Sequence, residues 1–590
     1  EPAPIARRGR TMRACRAPAA FPIRVARGRF RGMLTKTDPE ALHRAIAERA
    51  GVDTPASPVW TCLRRDGRTL LSGWVRQLPL REIITALLAE DAAAKANALE
   101  IAIPGASTRV DPTTPGPFAN VNRGRLTYVF QYGRAYRAVA PTTTVATNRN
   151  PQKERDRFAE AQGIGLDALR DSGVTRVAPT TCLLALADDD GALTLRELYR
   201  GNEIVAPGRV TGDEAARMLD RMLAWARANQ ASDGRLPYKY WPSRGAYADS
   251  DNVIRQMLAT LGLVRAARAF GSDDLRTRAA ANLARNLTAY LVDCGDHAAM
   301  TCGGKGKLGA TALAALCILE HAGTTGAHAD TLANLRAGID RQWQSDGAFR
   351  TFFWPPERND NQNFYPGEAL LFYAVLHAHT GDSDVLARAM ASFRYYRAWH
   401  RQHPNPAFVP WHTQAYVRLY RACGEPELRD FVFAMNDWLC GIQQWGGNLA
   451  PDLWGRFYAP AKPAYGPPHA ASTGVYLEGL GDAYALAAET GDTARAERYR
   501  TAIRRGLRSL RQLQVVSEAD MFYMQQRTPV HGAIRTEAYN NEIRLDNMGH
   551  AMLALLNLPA WTVADPPATG AAAPARAART AGGDRTQGAG

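Results

Sequence analysis

Acid, base and aromatic side chains recur in this chain where a polar loop gives way to an apolar helical run. The clearest instance is 362–373, QNFYPGEALLFY. Pro366 suits the first turn of a helix, where its missing N–H costs nothing, and Glu368 follows within that turn. Five more helix starts carry comparable groups. They are Asp249, Asp251 and Arg255 in YADSDNVIRQ, Lys305 and Lys307 in GGKGKLG, and Trp411, His412 and Gln414 in VPWHTQAY. His469, Ser472 and Thr473 stand in PPHAASTG, and Arg544, Asp546, Asn547 and His550 in EIRLDNMGH.

Each group admits a catalytic and a structural reading. Glu368 either serves the helix dipole or, set beside an apolar run, has its pKa raised into the range of a general acid. Asp251 is a helix cap or a second catalytic carboxylate. Asp546 and His550 lie four residues apart and face the same way, as a site couple or as a buried pair. His412 and His469 are structural histidines or bases. Arg255 and Arg544 offer bidentate forks for a substrate carboxylate. Tyr365, Trp411 and Gln414 complete the expected binding set, with the loop aromatics Trp241, Trp354 and Trp454 as stacking platforms for sugar rings. Tyr238, Tyr240, Trp445 and Tyr458 belong to the same group. The chain has no GxxxxGK[ST], GxSxG or HExxH motif, and its histidines are too dispersed to argue a metal site. No metal and no cofactor is expected.

Positioning groups so distant in sequence requires a repeating scaffold. From about 211 the periodicity is helical, with helices expected at 213–230, 251–269, 273–293, 307–321, 327–344, 366–379, 383–401, 411–423, 427–444, 470–489, 493–514 and 545–557. Thr-Gly-Asp at 211, 380 and 490 supplies cap residues. Connections alternate between short (FGSD, AGTTG, TGDS, GEP, TGD) and long aromatic-rich loops. The second helix of each pair is the more apolar, as an inner ring requires. Six hairpins closed in a ring explain both regularities. The fold class is therefore mainly α, an (α/α)6 toroid over 211–560, with the chemistry-bearing helix starts converging at the long-loop mouth. Helix N-termini add partial positive charge there, which suits an anionic ligand.

Residues 36–205 mix strand-like runs (PVWTCLRR, TLLSGWVRQL, RLTYVFQYGRAYRAVA) with a helical reading of REIITALLAEDAAAKANAL, and form an accessory α+β domain. Residues 1–35 read as a disordered basic arm and 561–590 as a disordered Ala/Gly/Pro-rich tail. The net charge of +15 looks like a nucleic-acid signature, but nine arginines of the first 31 residues supply much of it. Such an arm binds phosphates non-specifically, and no specific nucleic-acid partner is expected. With 46% hydrophobic residues and no apolar run of spanning length, the chain reads as a globular protein without a membrane span. Of eight cysteines only Cys294 and Cys302 are close enough in sequence to suggest a disulfide, with two thiols the alternative. A periplasmic or secreted location follows if a signal once preceded Glu1, and a cytoplasmic one otherwise. Oligomeric state is not legible.

The order strand–strand–helix–strand in GRLTYVFQYGRAYRAVAPTT, RFAEAQGIGLDALRDSG and TTCLLALAD resembles the AMMECR1-type α+β module. The stretch 210–558, with YPGEALL and PWHTQAYVRLYRACGEPE, resembles the six-hairpin glycosidase and epimerase superfamily. That resemblance implies a carbohydrate substrate. The leading expectation is an enzyme, a glycoside hydrolase or polysaccharide lyase, that cleaves an acidic polysaccharide or oligosaccharide. Glu368 would be the acid and Asp251 or Asp546 the second carboxylate. The alternatives are a sugar epimerase using paired histidines among His412, His469 and His550, and a non-catalytic glycan-binding or polymer-maturation protein.

Overall fold

The computed structural model describes residues 34, 37–76, 78–188 and 192–558. The expected basic arm, Leu34 apart, and the tail lie outside them.

The first part is built on one antiparallel sheet. Its elements are α1 (Pro39–Ala50), β1 (Val59–Arg65), β2 (Arg68–Val75), α2 (Leu80–Ala89), β3 (Ala98–Pro104), β4 (Thr108–Arg109), β5 (Leu126–Tyr132), β6 (Ala135–Val139), α3 (Pro141–Ala146), α4 (Pro151–Ala161), α5 (Leu166–Ser172), β7 (Gly173–Ala187) and β8 (Leu193–Leu198). Strand order is β2-β1-β3-β7-β5-β6, with β4 and β8 also paired to β7. The long β7 joins two half-sheets, pairing β5 through Gly173–Pro179 and β3 through Thr180–Leu186. One core forms where Leu42, Ile46, Ile83 and Ile84 cover Leu63, Leu99 and Ile101. A second gathers Phe118, Tyr128, Phe130 and Phe158.

One expectation fails here. The helix read through 81–99 ends at Ala89, and Ala98 and Leu99 open strand β3. All seven residues of β3 are buried. A strand covered on both faces shows no alternation, so an adjoining Ala-rich stretch makes it read as more helix.

The ring follows: α6 (Gly212–Asn229), β9 (Lys239–Trp241), β10 (Ala246–Tyr247), α7 (Val253–Phe270), α8 (Asp273–Tyr290), β11 (Leu291–Asp293), β12 (Ala298–Cys302), β13 (Lys305–Lys307), α9 (Leu308–Ala322), α10 (Ala329–Gln342), β14 (Phe352–Trp354), α11 (Tyr365–Thr380), α12 (Ser383–Gln402), α13 (Val409–Cys423), α14 (Pro426–Cys440), α15 (Ala470–Glu489), α16 (Thr493–Leu513), β15 (Arg535–Glu537), β16 (Asn540–Arg544) and α17 (Leu545–Asn557). Inner helices touch in the order α7, α9, α11, α13, α15, α17, and α17 returns to α7. The ring is closed, and the fold is an (α/α)6 toroid. Every residue of α9 from Leu308 to Leu319 is buried, and every residue of α11 from Tyr365 to Leu376. Helices apolar all round belong inside, whereas outer α16 buries one stripe and exposes a charged face. Small residues let the inner helices close up. A Cβ on Gly474 of α15 would sit 2.8 Å from the Cβ of His550 on α17.

The sheet part docks on the long-loop side. Arg200 donates to Asp452 at 2.6 Å, both buried, and Asn148 donates to Asn540 at 3.0 Å. Cys294 and Cys302, considered as a disulfide, are both thiols. No helix among the described residues is long and apolar enough to cross a membrane.

Candidate active site

The long loops enclose a cavity of about 430 Å³ over the starts of the inner helices. Its wall includes Arg255, Lys307, Tyr365, Glu368, Trp411, His469, Tyr476, Asp546 and His550. The starts of all six inner helices thus contribute to one cup, α15 through its N-cap His469, with Tyr476 further along.

Glu368 stands in the first turn of α11, only 4% exposed. Its Oε2 has no hydrogen-bond partner among the described residues and lies against the first turn of α9. Only glycine fits there, because a Cβ on Gly309 would come within 1.8 Å of Oε2. Burial pushes this carboxyl up to about 8, with nearby Lys307 pulling the other way. At neutral pH Glu368 therefore holds a proton it can give. Burial also lowers the Lys307 ammonium from its usual value.

Asp546 is the opposite case. Arg544 grips it in a fork at 3.0 and 2.6 Å, and Arg255 Nε reaches it at 2.8 Å. Burial favours the neutral acid, but the two guanidiniums win and hold the carboxyl at about 2. It stays ionised and fixes Arg255, which Tyr238 Oη meets from the other side at 2.5 Å. A carboxylate so engaged is a weak base, so the expected acid/base use of Asp546 gives way to a positioning one.

His550 faces the cup one helical turn from Asp546, and its Nδ1 lies 2.7 Å from Oε1 of Glu478. Glu478 is 1% exposed in the middle of α15, and Gln414 Nε2 reaches its other oxygen at 3.4 Å. Burial raises the Glu478 carboxyl, with His550 opposing. A carboxylate on Nδ1 leaves Nε2 as the working nitrogen of the ring. Burial, with Arg544 adding, lowers His469 from its usual value.

Seven expected residues lie elsewhere, Arg544 among them, its guanidinium spent on Asp546 behind the wall. Asp251 is held outside the cup by Tyr290 Oη at 2.8 Å and Gln256 Nε2 at 2.9 Å, and Asn252 caps α7. His412 is fully buried, its ring stacked on Phe408 at 3.5 Å and its Nδ1 on the Phe408 carbonyl oxygen at 2.8 Å. Burial drives it down to about 3, against the effect of that hydrogen bond. It is a structural histidine. Gln414 lies beneath the cup, on Glu478. Trp241 gives its N–H to Glu542 at 3.0 Å, and Trp454 to the Leu449 carbonyl oxygen at 2.9 Å. Trp354 packs face-down on Gly306. Trp454 braces its own loop, Trp241 and Trp354 tie neighbouring loops together, and none of the three lines the cup.

Sequence reading missed Glu478 and Gly309 and left Lys307 unassigned. For Glu478 the signal was present: an acid alone inside the apolar run STGVYLEGLGDAYAL.

Fold and site together describe an (α/α)6 toroid whose cup carries a protonated carboxyl, a carboxylate–imidazole pair and the cations Arg255 and Lys307. No protein-family model and no curated protein matches the chain. Solved structures that it is similar to include an α-1,6-mannanase of Salegentibacter sp. in complex with α-1,6-mannotriose (11% identity, TM-score 0.40, covering 60% of this chain and 99% of the other). A cellobiose 2-epimerase of Bacillus thermoamylovorans matches at 11% identity and TM-score 0.43, over 58% and 98% of the two chains. A D-mannose isomerase matches at 10% and 0.45, over 60% and 97%. These are likenesses, and no function is carried over from them.

Proposed function

We propose that the cup cleaves an acidic polysaccharide or oligosaccharide, with Glu368 as the general acid. The observation that carries this reading is the buried Glu368 carboxyl, neutral at physiological pH and facing a cavity whose wall also holds Lys307 and Arg255. Lys307 and Arg255 supply the charge that draws and neutralises a sugar carboxylate. Glu368 gives its proton to the leaving oxygen as the C–O bond breaks. His550 Nε2 takes a proton in the same event, and Glu478 steadies the imidazolium. That proton comes from water if the reaction is hydrolysis, or from the carbon beside the sugar carboxylate if it is elimination.

The test is a screen of acidic and neutral glycans, following reducing ends and ultraviolet absorbance together. Elimination produces an absorbing double bond and hydrolysis does not. Cleavage by the wild type, lost in Glu368→Gln with binding retained, is the expected result. Equal cleavage by the mutant sinks the assignment. A second reading, a sugar epimerase, is favoured by His550 and His469 both lining the cup as proton-transfer bases. It predicts interconversion of a free sugar with no glycan cleaved.

A further inference from the structure

The ring has a second mouth on the side of the short loops, and it too encloses a cavity, of about 340 Å³. The last turns of the inner helices form its wall, with Arg265 and Arg268 from α7, His379 from α11, Arg418 from α13 and Asn557 from α17. Two acids answer these cations. Glu320 of α9 receives a fork from Arg265, at 2.7 Å to one oxygen and 3.0 Å to the other, and Arg268 at 3.4 Å. Asp482 of α15 receives Arg418 at 2.8 Å and Asn557 Nδ2 at 3.2 Å. The carboxylate oxygens are thus spent inside the protein. Arg268, by contrast, keeps 64% of its side chain exposed and Arg418 26%. His379 has Nδ1 at 2.9 Å from the Val375 carbonyl oxygen, which leaves Nε2 on the opposite edge of the ring.

Helix C-termini carry partial negative charge, and that accounts for cations gathering at this mouth. Counting side chains alone, three guanidiniums stand against two carboxylates, and Arg268 and Arg418 keep exposed edges on the cavity. We propose that this rear cavity binds a small oxyanion, a phosphate, sulfate or compact carboxylate, through the guanidiniums of Arg268 and Arg418. The site is separate from the cup and does not depend on the reaction assigned there. It is linked to the cup through polar contacts. Arg418 Nη1 donates to the Gln414 carbonyl oxygen at 2.7 Å, and the Gln414 side chain reaches Glu478, the partner of His550.

Titration calorimetry of the full chain with inorganic phosphate tests this, with Arg268→Gln as the rear variant and Lys307→Met as the cup variant. The expected result is saturable binding that survives Lys307→Met and weakens at least about fivefold in Arg268→Gln, the loss of one charged contact. Arg268 is exposed enough that its replacement leaves the fold intact, which circular dichroism checks. Binding that is lost in Lys307→Met and kept in Arg268→Gln puts the anion in the cup and overturns the proposal. So does the absence of saturable binding by phosphate, sulfate and citrate alike.

Discussion

His550 Nδ1 and Glu478 Oε1 stand 2.7 Å apart between two inner helices that share no loop. The contact ties α17 to α15 and orients an imidazole toward the cup. Glu478→Gln keeps the shape and removes the charge. A loss of at least about tenfold in kcat with KM little changed is expected, because the imidazolium loses its counter-charge. A histidine that merely packs would show a lower Tm and an unaltered kcat.

Glu368 acts while it is protonated. With its carboxyl raised to about 8, activity falls as pH rises through that value. Replacement by Gln costs about 10²- to 10⁴-fold in kcat, the usual worth of a positioned acid. A rate profile flat from pH 6 to 10 would exclude Glu368 as the proton donor.

The same group leaves a mark on stability. In the unfolded chain its carboxyl ionises near the ordinary value, so between there and about 8 the folded state binds the extra proton. Stability attributable to Glu368 is present in full at low pH and is lost as pH rises through that window. Glu368→Gln escapes the loss. Its advantage over wild type is absent at pH 4 and reaches on the order of 4 kcal/mol at pH 8. Denaturant titrations at the two pH values measure it directly.

Gly309 is where the acid finds room. Alanine there puts a methyl group 1.8 Å from Glu368 Oε2, so the carboxyl must move. Gly309→Ala is expected to cost about 1–3 kcal/mol from overpacking and to lower kcat nearly as far as Glu368→Gln. Helix content by circular dichroism stays unchanged. Wild-type kinetics in this variant would mean that the carboxyl position is irrelevant.

Arg200 and Asp452 form a buried pair between the sheet part and the ring. Asp452→Asn leaves a guanidinium without its counter-charge and costs about 3–5 kcal/mol. A calorimetric trace in which the sheet part melts separately from the ring is the expected signature. A small shift with one transition would show that the joint holds by packing alone.

The ring was legible because its signals repeat: caps, alternating loop lengths and helices apolar all round. The cup was legible only in part, since a helix start does not tell which way its side chains turn. Trp411 and His412 are adjacent, yet about 100° of helical rotation sends one to the cup and the other into the packing against Phe408. Asp251 and Asp546 look alike in sequence. One is held by Tyr290 outside the cup and the other is clamped by two arginines within it. Loop tryptophans gave the poorest signal, because a ring that stiffens a loop and a ring that stacks a sugar are equally aromatic. Glu478 lies in the middle of α15, away from the helix starts where the sequence signal concentrates.

Asp452, which the sheet part grips, and His469, which lines the cup, belong to one connection between α14 and α15. A segment fastened to one module and furnishing a wall of the other makes the two parts a single tool. A ring cut free for engineering would arrive with that wall unmoored, and the portable unit of this architecture is the pair.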